Sequence, residues 1–176
     1  MSNKVQYASM KVNITNIKLS FSYHEKIIFD DAQPILNYHT GLVRIVKFDS
    51  YTASLMANDT YLNLTGLKNS YQILDSLKKL VLVSNINPNR IEYKIDTIAA
   101  VFLLKKNIRS IILQSASDLN LLVEVKIRFC GVTIRSPLFG NAVCVYFQSG
   151  KCLLTGAKDF DQIKLISQYM FSKFGV

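Results

Sequence analysis

Between Gly41 and Phe48 (GLVRIVKF), and again over Thr52 to Leu64, Phe129 to Arg135 (FCGVTIR) and Ala142 to Leu154, apolar side chains recur at nearly every second position. A period of two sets successive side chains on opposite faces, so these stretches predict β-strands arranged as hairpins. Two other stretches change period. Tyr71, Ile73, Leu74, Leu77, Leu80 and Val81 recur at helical spacing, as do Phe160, Ile163, Ile166, Tyr169, Met170 and Phe174. Both predict amphipathic helices, the first entered through Asn69 and Ser70, the second entered through Asp159 and ended by Gly175.

Each of these helices follows the same short motif. Leu64-Thr-Gly-Leu-Lys68 precedes the first and Leu154-Thr-Gly-Ala-Lys158 the second, a shift of 90 residues. Each half also opens with a strand candidate, Lys11 to Leu19 and Tyr93 to Leu104, followed by a weaker helical segment. In the second half that segment runs from Asn107 to Ser117; in the first it lies around Phe29 to Leu36, where Pro34 keeps it short. The repeating unit is strand, helix, several antiparallel strands, long helix. It is used twice, residues 1–88 forming the first repeat and 89–176 the second. The class is α+β, with the long helices on one sheet face and the other face free.

That free face is unusual in composition. Val143, Val145 and Phe147 share one side of their strand, and Leu153 and Thr155 share one side of the next. The alternate positions Cys144, Tyr146, Cys152 and Leu154 are apolar too, so both faces call for a covering partner, and helices cover only one.

Length and charge narrow the reading. A chain of 176 residues suits one compact domain or two fused small ones. The longest nearly apolar stretch, Thr97 to Leu104, is far below the roughly 20 residues of a membrane helix, and the first twenty residues lack the apolar core of a signal peptide. A soluble, intracellular protein is expected. Cys130, Cys144 and Cys152 form no CxxC pair, which speaks against a disulfide framework or a zinc ribbon. The net charge of +9 favours an anionic partner, and it is uneven: +3 over residues 1–88 and +6 over residues 89–176.

Phe129-Cys-Gly-Val-Thr-Ile-Arg135, then Val145-Tyr-Phe-Gln-Ser-Gly-Lys151, then Leu154-Thr-Gly-Ala-Lys158 resemble, in order and spacing, the second repeat of the TATA-box-binding protein family. Tyr93-Lys-Ile-Asp-Thr97 and Lys105-Lys-Asn-Ile-Arg109 resemble the opening strand and helix entry of that repeat. The resemblance extends over residues 11–174 and is specific over 93–174. It implies a saddle: two pseudo-symmetric repeats forming one curved antiparallel sheet, a concave apolar face lying in a widened minor groove, and helices on the convex face that recruit other factors. The implied DNA contacts of the second repeat are Phe129 and Phe147 as partly intercalating wedges, Val145 and Leu153 against the groove, Thr155 at a base, and Arg135 and Lys151 near phosphates. In the first repeat the resemblance places Tyr38 near the first phenylalanine, Ala57 at the second, and Asn63 at a groove-facing valine. It also fits Leu55, Thr65 and Arg44, and it pairs Asn13 of the opening strand with Thr97 of the second repeat.

The implied partners are double-stranded A·T-rich DNA and the transcription-initiation and RNA polymerase machinery, with no cofactor, small-molecule ligand or membrane. The implied location is the nucleus, or the site of viral transcription, since the departures and the Ile, Asn and Lys content resemble versions carried by protists or large DNA viruses. Val125 and Ile127 stand where the family has glutamates that contact transcription factor IIB, so partner recognition is expected to differ. No catalytic or metal-binding arrangement emerges. His24 and His39 have no cysteines at ligand spacing, Gly150-Lys151 lacks the rest of a phosphate-binding loop, and the adjacent Asp30 and Asp31 point differently. The residues therefore give no enzyme reading. The competing reading is a protein-interaction or regulatory module of the same fold, with weak or no promoter binding because the first repeat has lost wedge residues.

Overall fold

The computed structural model describes residues 11–29, 36–40, 43–56 and 60–175; for 36–40, 43 and 44 only the backbone is described. The chain divides into two compact units, one of Ile14–Ile98 and one built chiefly from Ala99–Val176. The strands of the first unit are β1 (Asn13–Ser22), β2 (Leu36–Thr40), β3 (Val43–Lys47), β4 (Thr52–Leu55) and β5 (Tyr61–Leu67), followed by helix α1 (Ser70–Leu82). Strand β6 (Glu92–Leu103) carries the boundary between the units. After it come α2 (Arg109–Ser115), β7 (Leu122–Val125), β8 (Gly131–Arg135), β9 (Val143–Phe147), β10 (Lys151–Ala157) and α3 (Phe160–Phe174).

The strands run in the order β2-β3-β4-β5-β1 in the first unit and β7-β8-β9-β10-β6 in the second. In both, the opening strand lies beside the last strand of a meander, which is the twofold α+β plan expected from the sequence. The repeated Leu-Thr-Gly motif has a structural cause. Gly66 and Gly156 adopt φ of 99° and 88°, a left-handed backbone that an L side chain resists, each just before its helix begins. Opposite Gly66 the pairing of β1 with β5 slips between Ile17 and Leu19, and Asn16 Oδ1 accepts the Gly66 N–H at 2.7 Å.

The helix entries repeat as well. Asn69 Oδ1 accepts the N–H of Gln72 at 2.9 Å while Gln72 Oε1 accepts the N–H of Lys68 at 2.6 Å. Asp159 and Gln162 do the same, at 2.6 Å from the Gln162 N–H and 2.8 Å from the Lys158 N–H. These reciprocal caps satisfy donors that a helix start leaves open. Helix α2 has no side-chain cap of its own. The buried Tyr146 of β9 serves instead: its hydroxyl accepts the Ile108 N–H at 3.1 Å and donates to the Lys105 carbonyl at 3.0 Å.

Two stretches differ from the sequence expectation. Phe29 forms an antiparallel bridge with Ser84 and Leu36 opens β2, so the ends of the segment read as a helix are extended; residues 30–35 lie outside the described residues. The sequence pattern does not predict β7 and β2 as strands. Each is the last strand in its unit's order and, among the described residues, pairs on one side only.

Candidate nucleic-acid interface

Alternation of burial along the hairpins defines the free face. Cys144, Tyr146, Cys152 and Leu154 are buried on the core side, whereas Val143, Val145, Phe147 and Leu153 are half-exposed and Thr155 exposed on the other. Across the strands, Thr133 pairs with Val145 and Val145 with Leu153, while Val143 pairs with Thr155. The result is an apolar strip two strands wide. Arg135 at the end of β8 and Lys151 at the start of β10 are both exposed.

At the end of the strip, Phe129 meets Phe147 edge to face, with ring centroids 6.0 Å apart and planes at 68°. Phe147 pairs with Gly131, and a Cβ on Gly131 would come within 2.7 Å of Val145 Cγ1 and 2.8 Å of Phe129 Cε1. Glycine there is what lets the Phe129 ring lie over the strand. Phe147 is held by its turn: the Gly150 N–H donates to the Phe147 carbonyl at 2.8 Å, and Gly150 has φ of 89°. Its own carbonyl accepts the Leu104 N–H at 2.8 Å, tying the hairpin tip to the end of β6.

The first unit presents the same face with different chemistry. Ile45 pairs with Ser54, Ser54 with Asn63, and Asn63 with Ser20. The row that is Thr133–Val145–Leu153 in the second unit is therefore Ile45–Ser54–Asn63 here. Asn63 Oδ1 is buried with no hydrogen-bond partner. Beside it, Ser20 Oγ donates to Asp96 Oδ1 at 2.7 Å, and Lys18 Nζ lies 3.3 Å from the other carboxylate oxygen. Burial alone would raise the Asp96 pKa, but the Ser20 hydroxyl and Lys18, helped by Lys94, hold it below the usual carboxylate value.

This register corrects the placement of several first-repeat residues. Ser54 and Asn63 are nine positions apart where Val145 and Leu153 are eight, so the first hairpin is one residue longer. Leu55, expected on the groove face, is 1% exposed and faces the core, because Ser54 takes the place of Val145. Met56, two residues beyond Ser54, takes the place of Phe147 and is 38% exposed. Ala57, expected there, lies outside the described residues. On β3 the counterpart of Thr133 is Ile45, so the counterpart of Arg135 is the exposed Lys47 and not Arg44, which pairs with Leu55. Tyr38 pairs with Ile45 as Glu124 pairs with Thr133, so it does not stand at the Phe129 position. Thr65 is half-exposed opposite Thr52, Thr97 is half-buried within β6, and Asn13 is exposed at the start of β1. The missed residues had one sequence signal: the extra residue between Thr52 and Thr65 relative to the second hairpin.

Among the described residues, no group of three or more His, Cys, Asp or Glu side chains comes together as a metal site. No family model matches the chain, and no curated protein matches it in sequence. Solved structures do match. One is the TBP of Methanococcus jannaschii, with a TM-score of 0.72 at 17% identity over 93% of this chain and 97% of that one. The chain thus has the α+β fold of a TATA-box-binding protein, a fold built from two pseudo-symmetric repeats of antiparallel strands and helices.

Proposed function

We propose that the chain is a transcription factor that binds A·T-rich double-stranded DNA through the minor groove and bends it. The observation that carries this reading is the Phe129–Phe147 pair, half out of the surface at the end of an apolar strip and given room by Gly131. Apolar rings inserted between base steps unstack and kink a duplex, at a cost of a few kcal/mol per step that the added contact offsets. Val145 and Leu153 then face the groove floor, where an apolar surface leaves the guanine amino group unpaired and so favours A·T pairs. Thr155 reaches a base edge, and Arg135 and Lys151 neutralise phosphates. In the first unit Met56 serves as the wedge and Lys47 as the phosphate contact. Once bound, the chain recruits initiation factors, in the nucleus or wherever a viral genome is transcribed, through a β7–β8 turn that offers Val125, Ile127, Lys126 and Arg128 in place of an acidic surface.

The test is energy transfer between dyes at the two ends of A·T-rich and G·C-rich duplexes, with wild type and Phe147→Ala at physiological salt. The expected result is a bend confined to A·T-rich DNA and lost in the variant. Tight binding without a bend would overturn the wedge mechanism.

A second reading has its own observation. Tyr71, Leu74 and Leu82 of α1 are exposed, whereas the same helical positions of α3, one repeat later, carry Asp161, Lys164 and Ser172. Beside α1 a groove of about 540 Å³ is lined by Leu74, Leu77, Val81, Pro88 and Tyr93. If neither duplex is bound, the chain acts through protein contacts at this helix.

A further inference from the structure

Within one chain, the same register position of the free face is apolar in one repeat and polar in the other: Val145 opposite Leu153 in the second unit, Ser54 opposite Asn63 in the first. We infer that Asn63, with Ser54 opposite it, reads a G·C base pair, so that the DNA half-site under the first repeat accepts guanine where the half-site under the second rejects it. This inference rests on the minor-groove reading above and adds to it a residue that sets sequence preference.

The argument starts from a cost. A buried acceptor left without a donor destabilises a fold by about 1–3 kcal/mol. Asn63 Oδ1 is such an acceptor, although a leucine occupies the corresponding position of the second repeat without strain on the register. Neither hydroxyl on the neighbouring strands relieves it: Ser20 Oγ gives its proton to Asp96 at 2.7 Å, and Ser54 Oγ makes no hydrogen bond to it. A donor arriving from outside can. The terminal amide torsion of asparagine is broad and roughly twofold, so a modest rotation turns Oδ1 toward the free face. Ser54 adds a hydroxyl directly across the strand.

The groove identifies the donor. Along the minor-groove floor an A·T pair offers acceptors only, and the single donor is the N2 amino group of guanine. Against Val145 and Leu153 that amine is desolvated and unpaired. Against Asn63 Oδ1 and Ser54 Oγ it has acceptors, and the small Ser54 leaves it space. The two halves of the interface therefore read different sequences. An asymmetric site of this kind also orients the protein on DNA, with its apolar repeat at the A·T end.

The experiment scans one G·C pair through each position of an otherwise A·T core in short labelled duplexes and measures affinity relative to the all-A·T duplex. Wild type and Asn63→Leu are compared, and thermal melting checks that both are folded. In wild type, the G·C pair costs less than about threefold at positions in one half and roughly tenfold or more in the other, since a good groove contact discriminates by about 1–3 kcal/mol. Asn63→Leu raises the cost in the tolerant half to that of the other. Cys130 is exposed while Cys144 and Cys152 are buried, so a DNA-cleaving iron chelate attached to Cys130 marks the end bound by the second repeat. Cutting is expected at the end remote from the tolerated G·C pair. A uniform penalty in wild type overturns the inference and leaves A·T groove binding standing, as does a tolerant half that survives both Asn63→Leu and Ser54→Val. Failure to bind any duplex overturns the inference together with the function it rests on.

Discussion

Phe129 and Phe147 touch edge to face across Gly131, and the glycine is what makes that contact geometrically possible. An aromatic pair in this arrangement contributes about 0.5–1.5 kcal/mol beyond its buried area, enough to hold both rings ready on a half-exposed surface. In the proposed mechanism a preformed pair loses less rotamer freedom on insertion than two independent side chains would.

Gly131→Ala tests the arrangement without removing either ring. The added methyl sits 2.7 Å from Val145 Cγ1 and 2.8 Å from Phe129 Cε1, so Phe129 must swing away. Because the position lies at a strand end with one neighbour free to move, the melting temperature is expected to fall by only a few degrees, in line with about 1 kcal/mol of overpacking. The bend angle on A·T-rich DNA is expected to fall markedly. A variant that bends DNA like wild type would detach the Phe129 geometry from the mechanism.

Two buried tyrosines are expected to respond oppositely to loss of the hydroxyl. Tyr146 Oη bridges the Lys105 carbonyl and the Ile108 N–H, so Tyr146→Phe strands two backbone groups at the start of α2 and is expected to cost about 1–3 kcal/mol. Tyr51 stacks on Phe48 at 4.4 Å, yet its hydroxyl is buried without a partner, and burial together with Asp75 pushes its pKa far above the usual phenol value. Tyr51→Phe keeps the stack and removes the unpaired group, and is expected to be neutral or to stabilise by up to about 1 kcal/mol. Urea unfolding of both variants measures the contrast.

Local chemistry was the legible part of this fold. The Leu-Thr-Gly motif, the caps at Asn69 and Asp159 and the alternation around Val145 each act within a few residues, so their pattern survives in the sequence. The face of β4 was not legible. A period of two turns any one-residue error in hairpin length into a swap of faces, and Leu55 looks like a groove residue until pairing shows Ser54 beside Asn63. Strands β2 (LNYHT) and β7 (LVEV) are short, mixed in character and paired on one side only, so what makes them strands is the neighbouring β3 or β8 rather than their own composition.

Asp96 gives the first unit a defined pH response. Its folded pKa lies below its unfolded value, because the Ser20 hydroxyl and the Lys18 ammonium favour the carboxylate. The stabilisation is therefore fully present above the unfolded pKa, near 4, and is lost as pH falls through the lower folded value. Thermal melts at pH 7, 4 and 3 are expected to show wild type above Asp96→Asn at pH 7 and the gap narrowing as pH falls below 4. A gap independent of pH would mean that Asp96 acts through shape and not through charge.

Met56 distinguishes the first hairpin tip from the second. It stands at the register position of Phe147 and is exposed, but a flexible thioether stacks on bases less well than a ring and loses more rotamer freedom on insertion. Replacing it with phenylalanine gives the first repeat the ring that the proposed mechanism uses as a wedge in the second. Met56→Phe is expected to increase the bend and to slow dissociation from A·T-rich DNA several-fold, since tightening an existing contact acts mainly on the off-rate. Stopped-flow energy transfer reads both quantities at once. An unchanged bend and an unchanged off-rate would mean that the first hairpin tip does not enter the duplex, and that the second repeat alone does the kinking.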